Sequence, residues 1–233
     1  METSIFTYQE NQYFGECLPC TAAVFNRYVD DPKVAWKIAT RQAIEETIGK
    51  GLPLDRFAQE PDFKKFCTKK QTEKGFSDLT LAQQLMQWAT SLKSSLPCFI
   101  FGVREFEQNR RKQSNILHLS GLFMFDADHL ACDPIEIFHR TQVLEFPWKV
   151  LLAHKTSSGH GLRLVCEART ELGNIADNQI CLARDLDIMD MKGSTGKPVV
   201  DDSCIDATRI SYCPRREDIF YIDEKSLFNI KAL

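Results

Sequence analysis

Helical spacing of apolar residues governs the first half of the chain, and short strand-like runs govern the second. Asp31-Pro32 opens a predicted helix as N-cap and first-turn proline; it continues through Trp36, Ile38, Ile44 and Ile48 and stops near Gly49 and Gly51. A second helix is predicted from about Asp78, with Leu81, Leu85, Trp88, Ala89 and Leu92 on one face and Ser94, Ser95 and Pro97 ending it. Cys98–Val103 then reads as a strand, and the polar stretch 104–118, centred on Arg110-Arg111-Lys112, as a surface loop. Residues 1–32 show no period and are expected to be irregular up to that first helix. Residues 52–77 are polar and basic, with Lys64, Lys65, Lys69 and Lys70 clustered.

From residue 119 the alternation becomes regular. A strand over 119–126 leads to a helix opened by Asp133-Pro134 and carrying Ile137, Phe138 and Leu144. Strands over 148–154 and 161–167 flank a glycine turn, a helical stretch covers 171–190, and the last strands lie near 209–213 and 219–222. This βαββαβ order is that of the ferredoxin-like, or RRM-like, fold. The expected class is α/β (α+β): a mainly helical N-terminal region, 33–118, packed on an RRM-like unit, 119–233.

The chain has 233 residues, 43% hydrophobic and 26% charged, enough for a substantial core in one large domain or two small ones. Its net charge of −3 rules out a uniformly basic nucleic-acid coat, so any polyanion must be met by local patches. Nine cysteines, an odd count, fit a reducing compartment. With no signal pattern and no apolar stretch of about 18–20 residues, a soluble cytoplasmic protein without membrane contact is expected.

The candidate chemistry begins at Phe125-Asp126-Ala127-Asp128, which closes the apolar run Leu122-Phe123-Met124-Phe125. In a strand, Asp126 and Asp128 point to the same side, roughly 6–7 Å apart. Two such carboxylates repel unless positive charge lies between them, and Mg²⁺ is suited to that place because it binds one or two carboxylates plus waters and phosphates. The plainer alternative is a pair of strand-end aspartates facing water. The turn Lys155-Thr156-Ser157-Ser158-Gly159-His160-Gly161-Leu162-Arg163 concentrates hydroxyls, glycines, an imidazole and cations, a composition that suits an anion. A third acid lies in Asp201-Asp202-Ser203-Cys204-Ile205-Asp206-Ala207-Thr208-Arg209, either Asp206 or Asp202, with Arg209 available for a phosphate. Gly193-Ser194-Thr195-Gly196-Lys197-Pro198 has the wrong spacing for a Walker A loop, so no ATP-driven motor is expected. Cys17-Leu18-Pro19-Cys20 has zinc-knuckle spacing without a second pair. Together these residues suggest metal-assisted phosphoryl or nucleotidyl transfer.

The acidic pair, then Ser158-Gly159-His160, then Asp206 ahead of Arg209 resembles the three-motif signature of the archaeo-eukaryotic primase superfamily. The likeness is to primase-polymerase domains of bacterial mobile elements and phages that accompany virulence-associated protein E-type helicases. Leu96-Pro97-Cys98-Phe99-Ile100-Phe101-Gly102 and Ser120-Gly121-Leu122 share it. It covers about residues 33–222. The resemblance implies a DNA primase or DNA-directed polymerase fold with Asp126, Asp128 and Asp206 holding two Mg²⁺ or Mn²⁺ ions. It implies that Ser158 and His160 contact the incoming NTP or dNTP, His160 in a catalytic role, with Lys155, Arg163 and Arg209 joining them. Partners would be a single-stranded DNA template and a helicase supplied by another domain or chain. Lys64–Lys70 and Arg110–Lys112 are then expected template-phosphate contacts. The rival expectations are a non-catalytic DNA-binding replication-initiation module and a metal-dependent nuclease.

Overall fold

A computed structural model describes residues 5–13, 15–200 and 206–229. The N-terminal segment, expected to be irregular, is folded. Strand β1 (Phe6–Gln9) pairs antiparallel with β2 (Leu18–Cys20), and helix α1 (Ala22–Val29) starts at Thr21, whose side chain accepts the Val24 N–H. Helix α2 (Pro32–Gly49) opens as its Asp-Pro start dictates, with the Asp31 carboxylate accepting the Lys33 N–H at 2.8 Å. The polar stretch that follows forms α3 (Asp55–Ala58) and α4 (Pro61–Lys70). Helix α5 (Leu81–Ser94) begins three residues after Asp78, because Thr80 and Gln83 close a capping box there. Its apolar face packs with Ile44 of α2 and Phe63 of α4.

The strand expected over 98–103 bends at Phe101-Gly102 into two, β3 (Cys98–Ile100) and β4 (Val103–Phe106). The expected loop 104–118 becomes a hairpin of β4 with β5 (Ile116–Leu119). Then come β6 (Leu122–Ala127), α6 (Pro134–His139), β7 (Val150–Lys155), β8 (Leu162–Glu167) and α7 (Ile175–Asp185). The chain continues through β9 (Ser211–Tyr212), β10 (Ile219–Ile222) and α8 (Glu224–Leu227). Leu144, expected on the helix after Asp133, lies beyond α6 and is exposed.

The class is α+β with antiparallel sheets, but the strand order departs from the ferredoxin-like one. One sheet runs β2-β1-β3-β9 and the other β10-β7-β8-β6. A ferredoxin-like order would set the last strand beside the first, β6. Here β10 pairs with β7 at the opposite edge, and β9 joins β3 in the other sheet. Packing on both faces holds β10 there: Phe220 stacks on Phe138 of α6 at 5.9 Å, while the partly buried Ile219 and Ile222 pack against the other core. The outer edge of β6 is met by Val199-Val200, with the Asp128 N–H donating to the Val199 carbonyl at 2.8 Å.

Strand alternation sorts the second sheet into two faces. Phe123, Phe125 and Ala127 of β6 meet α6 and α7 through Ile137, Phe138 and Leu182. Leu122 and Met124, with Leu152 and Val165, face the first sheet and join Phe6, Phe25, Ile38 and Phe99 in one core. The regions 33–118 and 119–233 therefore share a buried face, to which β1 and α1 also contribute. Among the described residues, no helix is long and apolar enough to cross a membrane.

Candidate active site

The face that carries Leu122 and Met124 turns polar two residues on. Asp126 continues it, nearly fully buried, and Asp128 follows half-buried at the strand end. In the adjacent strand, Arg163 stands in register with Asp126, and the two form a buried ion pair. The Arg163 guanidinium also donates to Ser211 Oγ of β9 at 3.3 Å, which links the two sheets. Ser211 Oγ lies 3.4 Å from His154 Nε2, and His154 Nδ1 lies 2.7 Å from the Lys155 carbonyl. A carbonyl can only accept, so Nδ1 carries the proton and Nε2 accepts from the Ser211 hydroxyl. Burial, reinforced by the Arg163 charge, pushes the His154 pKa down to about 3, so the ring is neutral.

The β7–β8 turn presses on this corner. Gly159 takes a φ of +82°, which side chains rarely adopt, and the Gly159 N–H donates to the Thr156 carbonyl at 2.8 Å. Ser158 shares a hydrogen bond with Thr156 at 3.0 Å, and Ser157 Oγ accepts from Arg41 of α2 at 2.6 Å. A Cβ at Gly161 would sit 2.7 Å from both Asp128 Oδ1 and Thr156 Oγ1, so the turn packs directly against the acid. Asp206 caps its own turn, accepting from the Thr208 hydroxyl at 2.6 Å. Behind it, a Cβ at Gly102 would come within 2.6 Å of the Ala207 carbonyl, so that glycine lets the Asp206 turn lie on the β3–β4 bend.

These elements enclose a cavity of about 530 Å³. Asp126, Asp128, Asp206, Ser158, Arg163 and Arg209, all singled out from sequence, line it. Two expected contacts do not. His160 is exposed, and its field falls on Glu46 of α2. Lys155 pairs with Asp133 at 3.2 Å and lies over the Phe220 ring. Asp202 lies outside the described residues. Arg41, Lys93 and Tyr212 line the cavity unforeseen, and the Lys93 ammonium lies 5.0 Å from the centre of the Tyr212 ring. Burial and the nearby Arg41 and Arg163 lower the Lys93 pKa, while burial and Asp126 raise that of Asp128.

Hard oxygen donors of this kind suit Mg²⁺ or Mn²⁺. Asp126 Oδ1 is buried with no hydrogen-bond partner, and the raised Asp128 pKa marks a place that favours added positive charge. Asp126 and Asp128 thus fit such an ion, while Asp206 is engaged by Thr208. Among the described residues, no three His, Cys, Asp or Glu side chains form a ready metal cluster. Cys17 and Cys20 are buried free thiols, and burial pushes Cys17 up to about 11, away from the thiolate that zinc requires.

The chain is therefore an α+β protein with a charged cavity where two antiparallel sheets meet. Residues 91–190, less than half of it, match the family described as BT4734-like, N-terminal domain, words that name no reaction or ligand. The matched stretch takes in Asp126, Asp128, Ser158 and Arg163 but stops before Asp206 and Arg209. No curated protein and no solved structure matches the chain.

Proposed function

We propose that the protein is a DNA primase or primase-polymerase, a nucleotidyltransferase that joins nucleotides on a DNA template. The observation that supports this reading best is the composition of one cavity wall: Asp126, Asp128 and Asp206 together with Arg41, Lys93 and Arg209. Asp126 and Asp128 would hold Mg²⁺ or Mn²⁺, with Asp206 beside them. A divalent ion so held lowers the pKa of an attacking 3′-hydroxyl and stabilises a pyrophosphate leaving group. Arg41, Lys93 and Arg209 would offset the triphosphate charge, and the Ser158 hydroxyl would orient it. Arg163 pairs with Asp126 and aims it, with His154 and Ser211 behind it. The free thiols among the described residues accord with a reducing cytoplasm, and a helicase would come from another domain or chain.

A second reading, a binding module that retains the primase architecture, draws on the ion pair by which Arg163 already compensates Asp126. Primer extension on a single-stranded template with Mn²⁺ and labelled nucleotides separates the two. Asp126→Asn and Asp128→Asn are expected to lower incorporation by about 10²-fold or more, the scale for losing a ligand that acts in the transition state. Asp206→Asn is expected to match them. Variants that stay within a few-fold of wild type would remove the catalytic assignment, shortened products would indicate a nuclease, and unchanged primer a binding module.

A further inference from the structure

Two grooves continue the cavity outward. The nearer, about 570 Å³, shares Arg111 with the cavity and passes Gln12, Tyr13 and Arg110. The farther, about 1050 Å³, shares Tyr13 with the nearer one and runs between α4 and α5 past Phe66, Lys69, Lys70 and Met86. Arg111 borders both the cavity and the nearer groove, and Tyr13 both grooves, so the three lie in succession from the acids to α4. Gln12, which accepts a hydrogen bond from the Tyr212 hydroxyl, stands where cavity and groove adjoin.

Tyr13 marks the middle of this path, and 77% of its surface is exposed. Its backbone N–H donates to the Asn11 side chain at 2.9 Å, and the neighbouring Ser94 and Gln12 side chains lower the pKa of its hydroxyl. The lysine cluster divides here. Lys64 is hydrogen-bonded to Gln59, Lys65 is paired with Asp62 and Lys70 with Glu73 at 2.5 Å, while Lys69 and the Lys70–Glu73 pair line the groove. The α5 side of the groove carries Met86 and Gln87 and, beyond them, the small hydroxylic residues Thr90, Ser91 and Ser94. An exposed aromatic side chain among spaced cations and small polar residues is the chemistry that takes an unpaired nucleic-acid strand irrespective of sequence.

We infer that this path is the track for a single-stranded polynucleotide, with Tyr13 stacking on a base and Lys69, Arg110 and Arg111 following the phosphates. The direction of the track, toward Asp126, rests on the nucleotidyl-transfer reading; binding in it does not.

Fluorescence anisotropy of the full chain with a labelled oligodeoxythymidine of about 15 nucleotides tests the inference. Tyr13→Ala is expected to weaken binding roughly 5- to 150-fold with the salt dependence unchanged, and Tyr13→Trp to retain it. Lys69→Ala is expected to reduce the slope of log affinity against log salt by about 0.7. Both residues are exposed, so the variants keep the wild-type melting temperature. Wild-type affinity in both alanine variants, equal competition by polyglutamate, or no binding by wild type would each overturn the track. Groove-dependent binding without nucleotide incorporation would uphold the track and remove the polymerase reading. Asp126-dependent incorporation that ignores Tyr13 and Lys69 would do the reverse.

Discussion

His154 shows how much one buried side chain can report. It is neutral, held between the Lys155 carbonyl and Ser211, and through Ser211 it sits behind the Arg163–Asp126 pair. In the unfolded chain the ring takes a proton near 6.5, whereas in the folded protein it does so only near 3. Between those values the unfolded state binds a proton that the native state refuses, so stability is full above the higher value and falls as acid is added. The slope approaches about 1.4 kcal/mol per pH unit within the window. His154→Gln supplies an amide toward Ser211 and removes the titration. Melting curves from about pH 6.5 down to about pH 4 are expected to show a shallower acid loss in the variant than in wild type. Identical slopes would mean that His154 is not the group that titrates.

The hairpin of β7 and β8 carries its chemistry through packing as well as through side chains. Gly161→Ala would drive a methyl to 2.7 Å from Asp128 Oδ1 and Thr156 Oγ1. Overpacking of that kind costs about 1–3 kcal/mol, and here the displaced atoms border the charged cavity. A lower melting temperature together with slower incorporation is expected; unchanged values for both would show that the turn has slack. Some elements were legible from sequence and some were not. The run ending at Asp126 showed its face because its polar residues fall at period two, and Asp31-Pro32 and Asp133-Pro134 announced their helices. Strand β1 escaped because Phe6–Gln9 is buried on both sides and leaves no alternation to read. The place of β10 escaped because pairing depends on which core receives Phe220, a choice no local pattern carries.

At the scale of the molecule, the site is assembled from segments far apart in the chain. Arg41 comes from α2, Lys93 from α5, Arg163 from β8 and Arg209 from the turn before β9. The carboxylates and the Ser158 turn advertise themselves in sequence, whereas Arg41 and Lys93 look like any solvated helix cation until the shared core brings their helices to the sheet. The resemblance implies a contact of His160 with a triphosphate, but that side chain is exposed and does not line the cavity, whereas Ser158 does.

The charge of the cavity wall bears on the order in which ligands can load. Arg41, Lys93, Arg111, Arg163 and Arg209 stand against Asp126, Asp128 and Asp206, so the interior is positive before anything enters. The two strand-end carboxylates favour a dication while the cations around them oppose a bare one, and on the nucleotidyl-transfer reading a nucleoside triphosphate that has already chelated the ion, still an anion, would be drawn in more readily. On that reading the nucleotide would be the carrier and the ion its passenger. Calorimetric titration with Mn²⁺ alone is expected to give little heat, and titration with Mn²⁺ plus a non-hydrolysable nucleotide a saturating isotherm. Tight uptake of the lone ion would show instead that the two strand-end carboxylates outweigh the guanidinium groups around them, and that loading starts with the metal.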